Sequence, residues 1–249
     1  MIERRIVAGG LLASACLGIT ALFGVSAARV GAQNKAHSAP VAVELFTSQG
    51  CSSCPPADAL LERLVTNPNV VAITRPVTYW DNLGWKDTLA REGNTDLQRA
   101  YAARGGAGAG VYTPQIMVQG SYGAVGSNEN AIRSYIAAAQ AQIGPSVITN
   151  TTANGDRTIT IDGTARGRFN VTVLALHSTV NVRIGRGENG GSVIRYTNVV
   201  VGEHVIAAWA GGHAVVSVPA RVLHEGGADR AAVLIQQGNA GPILAARMM

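Results

Sequence analysis

The pattern of apolar and polar positions changes character near the middle of the chain. In the first half, short apolar runs alternate with helical periodicity. Val41 to Phe46 is a strand-like run that ends at Thr47-Ser48-Gln49-Gly50. Alternation puts Val41, Val43 and Leu45 on one face, and Ala42, Glu44 and Phe46 on the other. Pro55-Pro56 suits a helix start, where a missing N–H does no harm. Leu60, Leu61 and Leu64 then make one apolar helical face, and Asn67-Pro68-Asn69 stops it. Val70 to Ile73, extending toward Val77, predicts a second strand. A helix is expected over Asp96–Arg104, ended by Gly105-Gly106. Val111 to Val118 predicts a strand with Pro114 near its start, because a proline inside a central strand would remove a ladder hydrogen bond. A short strand or loop to Val125 follows. A last helix is expected over Asn130–Gln142, capped by Ser127 or Asn128, with Glu129 at the end that favours an acid. The order is βαβαββα.

From Pro145 onward only short strands are expected: Val147–Thr151, Thr158–Ile161, Asn170–His177, Val180–Ile184, Val193–Val201, His204–Trp209, Ala214–Val218, Ala231–Gln236 and Ile243–Ala246. Glycine-rich turns such as Asn189-Gly190-Gly191 separate them. That texture predicts a β-rich sandwich or partly open barrel. The expected organisation is therefore a leader over 1–32, a lead-in over 33–40, an α/β unit over 41–143 and a β-rich unit over 144–249.

The leader itself is a targeting segment. Glu3-Arg4-Arg5 precedes twenty uncharged residues, Ile6 to Val25, and Ser26-Ala27-Ala28 and Val30-Gly31-Ala32 offer small residues for cleavage. A secretory signal is expected, with a twin-arginine route, an uncleaved anchor and lipidation at Cys16 as alternatives. Location in the periplasm or outside the cell follows, and membrane contact only through the leader if it is retained.

Composition narrows the function. The net charge is +5, which falls to +3 once Arg4, Arg5, Arg29 and Glu3 are removed with the first 32 residues. No Lys/Arg stripe and no aromatic platform accompanies it, which argues against nucleic acid as a partner. The chain is 5% aromatic, so its core must come from Val, Ile, Leu and Ala. Oligomeric state cannot be read from the pattern.

The chemistry concentrates at Gly50-Cys51-Ser52-Ser53-Cys54-Pro55-Pro56. Once the leader is gone, Cys51 and Cys54 are the only cysteines. A disulfide between them closes a tiny loop and constrains the unfolded chain little, so the pair reads as local and chemical. The N-terminal sulfur should meet unpaired amides at a helix tip, which favours the thiolate. Cys51 is then the attacking thiol and Cys54 the resolving thiol. Glu44, seven positions earlier, is a candidate proton relay to Cys54. Trp80, Asp81, Trp85 and Lys86 are candidates for the cleft wall. The expected partners are thiols and disulfides of proteins or small molecules, and the exchange needs no cofactor. Copper or zinc on Cys51 and Cys54 is the metal alternative; His37, His177, His204, His213 and His224 share no short motif with the pair.

Strand, CxxC, helix and the order βαβαββα resemble the thioredoxin fold. That resemblance implies a cis-proline facing the cysteines, and Thr113-Pro114 stands where it should be. Longer segments, VELFTSQGCSSCPPADALLERL, VTYWDNLGWKD, QRAYAARG, VYTPQIMVQG and the late GENGG…NVV, resemble the family of secreted bacterial proteins known only as domain of unknown function 1223. This resemblance runs from about Pro40 to Met249 and implies a thioredoxin-like first half, with no substrate attached. A thiol–disulfide oxidoreductase is the leading expectation. A secreted binding protein that keeps the fold, and a metal carrier, are the alternatives.

Overall fold

The computed structural model describes residues 40–249. The expected leader lies outside the described residues, as does nearly all of the lead-in. Strand β1 (Val41–Thr47) leads into helix α1 (Pro55–Leu64), then β2 (Val70–Pro76), α2 (Glu92–Arg104), β3 (Gln115–Val118), β4 (Tyr122–Val125) and α3 (Glu129–Gln140). β1 pairs in parallel with β2 and antiparallel with β3, and β3 pairs with β4. This βαβαββα segment is thioredoxin-like. Asn128 caps α3 through the Ala131 amide.

The second half is almost entirely strand: β5 (Ser146–Thr151), β6 (Arg157–Asp162), β7 (Phe169–Arg183), β8 (Val193–Trp209), β9 (Ala214–Val218), β10 (Arg230–Gln237) and β11 (Ile243–Met248). Four expected short strands are in fact two long ones. Asn170–His177 and Val180–Ile184 fuse into β7, and Val193–Val201 and His204–Trp209 fuse into β8. Their pairing shifts register at Val171/Thr172 and Ala175/Leu176. Such bulges disturb the alternation without ending the strand.

One sheet of eight strands runs through both halves, in the order β11-β10-β7-β8-β2-β1-β3-β4. The join is narrow. Only Thr74 and Val199 form a ladder pair between β2 and β8. Side chains complete it: Asn198 Nδ2 donates to Ala72 O (2.9 Å) and Thr74 Oγ1 to Thr197 O (2.5 Å). Asn198 has φ 50°, a conformation asparagine tolerates better than most residues. The sheet curls until the start of β11 meets the turn after β3, where Gln119 and Ile243 exchange hydrogen bonds. It remains open, with β4 and β11 as its edges.

Val41, Val43 and Leu45 pack against Leu60, Leu61, Leu64 and Ile132, so the expected face of β1 meets α1 and α3. Inside the curl, Ala42, Ile73, Leu174, Val200, Leu234 and Ile243 form a second core. A separate three-stranded sheet, β5-β6-β9, lies over β7, β8 and β10 through Ile159, Ile161, Val173 and Val233. This is the sandwich part of the expectation.

Candidate thiol site

Cys51 and Cys54 are joined in a disulfide, with Cα atoms 5.4 Å apart. The pair sits in the turn between β1 and α1. Cys51 N donates to Ser48 O (3.2 Å), and Cys54 N to Cys51 O (3.1 Å). Cys54 is the N-cap of α1, and its carbonyl accepts from Ala57 and Asp58. Pro55 and Pro56 fill the first two helical positions and have no N–H to offer. The expected amide cradle for the N-terminal sulfur is therefore missing. Ser53 Oγ lies within hydrogen-bond reach, 3.3 Å from Cys51 Sγ.

The Thr113–Pro114 peptide is cis. Pro114 is buried next to the first turn of α1. A Cβ on Gly126 would lie 2.9 Å from both Pro114 Cβ and Ala57 Cβ, so only glycine lets these segments meet. The Thr113 hydroxyl, the Tyr79 hydroxyl and Gln98 Oε1 are buried without a partner among the described residues.

Glu44 does not serve the cysteines. It lies on the far face of β1 from α1, accepting from Arg75 Nε (2.6 Å) and the Tyr101 hydroxyl (2.7 Å). Arg75 is fully buried and also donates to Glu203 (2.7 Å). Alternation along β1 placed Glu44 on this face; the inference to a relay failed because the face carries a guanidinium.

The acid behind the pair is Asp58, which the sequence reading passed over. It stands four residues after Cys54, on the same side of α1. Neither carboxyl oxygen has a hydrogen-bond partner among the described residues. Burial pushes its pKa up to about 8; the Thr47 hydroxyl, close by but outside hydrogen-bonding geometry, pulls it back and Asp87 adds to the rise. Asp87 is itself raised by burial, while it accepts from the Gln49 and Leu89 amides (2.8 Å each). The Tyr196 hydroxyl, its pKa raised chiefly by burial and then by the Asp58 and Asp87 carboxyls, is buried without a partner among the described residues. The spacing Cys54, Asp58, Leu61 along one helical stripe was the signal that could have found Asp58.

An attacking thiol needs an open sulfur, and both sulfurs are buried. Cys51 is 1% exposed and Cys54 0%. The 184–192 loop between β7 and β8 is hydrogen-bonded to the cysteine turn. Asn189 Nδ2 donates to Gln49 O and Cys51 O (2.9 Å each), and Glu188 accepts from Ser52 N (3.0 Å). Trp85 joins the two sides: its Nε1 donates to Gln49 Oε1 (2.8 Å), and its ring lies so close to Gly185 that a Cβ there would be 2.8 Å away. Trp80 packs against Gly50 on the other side. Of the expected wall, Trp80 and Trp85 reach the cysteine turn. Asp81 instead braces its own loop by accepting from Asp87 N (3.1 Å), and Lys86 is exposed. Glu188 and Asn189 lie in the GENGG segment, which was visible as a motif but was read only as a turn.

Among the described residues no three His, Cys, Asp or Glu side chains gather as metal ligands.

The sequence matches the family described as protein of unknown function (DUF1223) over residues 42–236. The chain belongs to the DUF1223 family. A solved structure of another protein, AGR_C_4864 from Agrobacterium tumefaciens, is 30% identical to this DUF1223 chain, with a TM-score of 0.74; the match covers 84% of this chain and 93% of that one. HBP35 of Porphyromonas gingivalis shares the fold at 12% identity, with a TM-score of 0.58 and coverage of 85% and 75%. No curated protein matches this DUF1223 chain by sequence. A CxxC disulfide in a thioredoxin-like frame points to thiols and disulfides as the general class of partner.

Proposed function

We propose that this chain is an exported thiol–disulfide oxidoreductase-like protein, with Cys51 and Cys54 as its working pair. The observation that carries the reading is the Cys51–Cys54 disulfide at the start of α1, whose first turn meets Pro114 across Gly126. In the oxidised protein, a partner thiolate attacks Cys51 Sγ and the bond to Cys54 breaks. The electron pair leaves on Cys54, which takes up a proton. A second partner thiol loses its proton and attacks the mixed disulfide. The partner leaves oxidised and the protein keeps two thiols. Asp58 holds a proton at neutral pH and stands one helical turn from Cys54. It supplies that proton to the leaving sulfur. The uncharged run Ile6–Val25 and the closed disulfide support work in an oxidising compartment.

Titration of the pair in glutathione buffers, with exchange against a dithiol peptide, tests the reading. Reversible two-electron oxidation that disappears in Cys51→Ser and Cys54→Ser is expected. A disulfide that exchanges no faster in the native protein than a buried structural bond would overturn it. That result would favour a second reading, motivated by the 1% exposure of Cys51: a secreted binding protein in which the disulfide only holds the turn. Fractionation of cells with thiol labelling tests the compartment. A full-length, reduced, cytoplasmic product would contradict export.

A further inference from the structure

A second site lies on the α2 side of the curled sheet, away from the cysteine turn. It is a groove of about 540 Å3 between α2 and strands β7, β8 and β10. Charge is arranged across it unevenly. Arg75 faces two carboxylates, Glu44 at 2.6 Å and Glu203 at 2.7 Å. One guanidinium cannot neutralise both, and burial beside Glu44 keeps the Tyr101 hydroxyl protonated. Burial works against the Glu203 carboxylate, yet Arg75 and then Arg91 hold its pKa below the usual range. Of Arg75, Glu44 and Glu203, only Glu203 lines the groove, its side chain 33% exposed. Arg91 lines the groove as well, and its Nη1 is buried with no acceptor among the described residues. A buried charged donor without an acceptor is costly unless something fills the position. Between these charges, Leu97, Val200 and Val205 supply an apolar wall, and Val205 is 59% exposed.

We propose that this groove binds a small zwitterion with an apolar side chain: a free amino acid or a short peptide. The ligand carboxylate accepts from Arg91, the ammonium donates to Glu203, and the side chain lies along Leu97, Val200 and Val205. A plain carboxylic acid offers Glu203 no ammonium beside the guanidinium it shares with Glu44. A plain amine leaves Arg91 Nη1 without an acceptor. Volumes of this order suit such ligands. The proposal is independent of the thiol chemistry.

Titration calorimetry on the mature protein tests it, with L-leucine and Leu-Leu as zwitterions and isovalerate and isoamylamine as single-charge controls. Gly93 lines the groove, and a Cβ there would meet nothing within 4 Å. Gly93→Trp therefore adds bulk to the groove lining at a position where the Cβ meets no neighbour. At least one zwitterion should bind saturably, at least tenfold more tightly than either control. Gly93→Trp and Arg91→Gln should each weaken it at least tenfold, with the thermal midpoint and the dithiol exchange rate kept. The free amino acid and the dipeptide separate the two sources of the same chemistry. Absence of zwitterion binding, equal affinity for the controls, or affinity unchanged in both variants overturns the proposal.

Discussion

Asn189→Ala should speed reduction of the Cys51–Cys54 disulfide. The side chain makes two hydrogen bonds from the 184–192 loop, to Gln49 O and Cys51 O. Both carbonyls regain water when the loop lifts, so the net value of each bond applies, about 0.5–1.5 kcal/mol. Together they hold the loop down by about 1–3 kcal/mol, and tenfold in population corresponds to about 1.4 kcal/mol. If reductant reaches Cys51 only in the lifted state, losing both bonds raises that state, and the rate with it, by about 5- to 150-fold. The assay is reduction by dithiothreitol under pseudo-first-order conditions, followed by quenched thiol labelling and mass spectrometry. Thermal melting checks that the fold holds. Asn154→Ala, in the turn between β5 and β6, is the control and should leave the rate unchanged. An Asn189→Ala rate within twofold of the parent, in a protein that melts normally, would refute the argument: the 184–192 loop would not be what limits access.

Further outcomes follow from the same contacts. Asp58→Asn should flatten the loss of stability that urea melts of the parent are expected to show between about pH 4 and pH 8. The raised pKa means the folded state binds the proton more tightly, so the parent is favoured at low pH and loses stability as pH climbs through about 8; an unchanged slope would deny the burial. The same variant should slow exchange at pH 7 more than at pH 9, because the proton it lacks is needed where Asp58 would still hold one. Arg75→Ala leaves Glu44 buried beside no cation, and should lower unfolding free energy by about 3–5 kcal/mol. Gly126→Ala drives a methyl against Pro114 and Ala57; denaturant melts should show a loss of about 1–3 kcal/mol, with the cysteine turn perturbed.

The first half was legible because its signals are local. Pro55-Pro56 begins α1, Asn128 caps α3, and alternation along β1 sorts Val43 from Glu44. The long strands were not legible, because Ser178-Thr179 and Gly202-Glu203 interrupt the apolar pattern where the bulged ribbon simply continues. At the site, the cysteine pair and Pro114 announce themselves by spacing. Asp58 was hidden by its setting: an acid in a helix's first turn ordinarily faces water, and only its place in the Cys54–Leu61 stripe marks it as interior. The reach of Asn189 across 138 positions to Cys51 is a property of topology, and no local pattern carries it.

The narrow seam between β2 and β8 decides what happens if the protein is divided. A fragment stopping at Gly144 would keep both site cysteines and Pro114, yet it would strip the 184–192 loop from the cysteine turn and bare one flank of β2 to any passing strand. Its thiol chemistry would turn quick and indiscriminate while its solubility declined. The module that resembles a freestanding redox protein is thus restrained by a pair of strands made long after it in the chain.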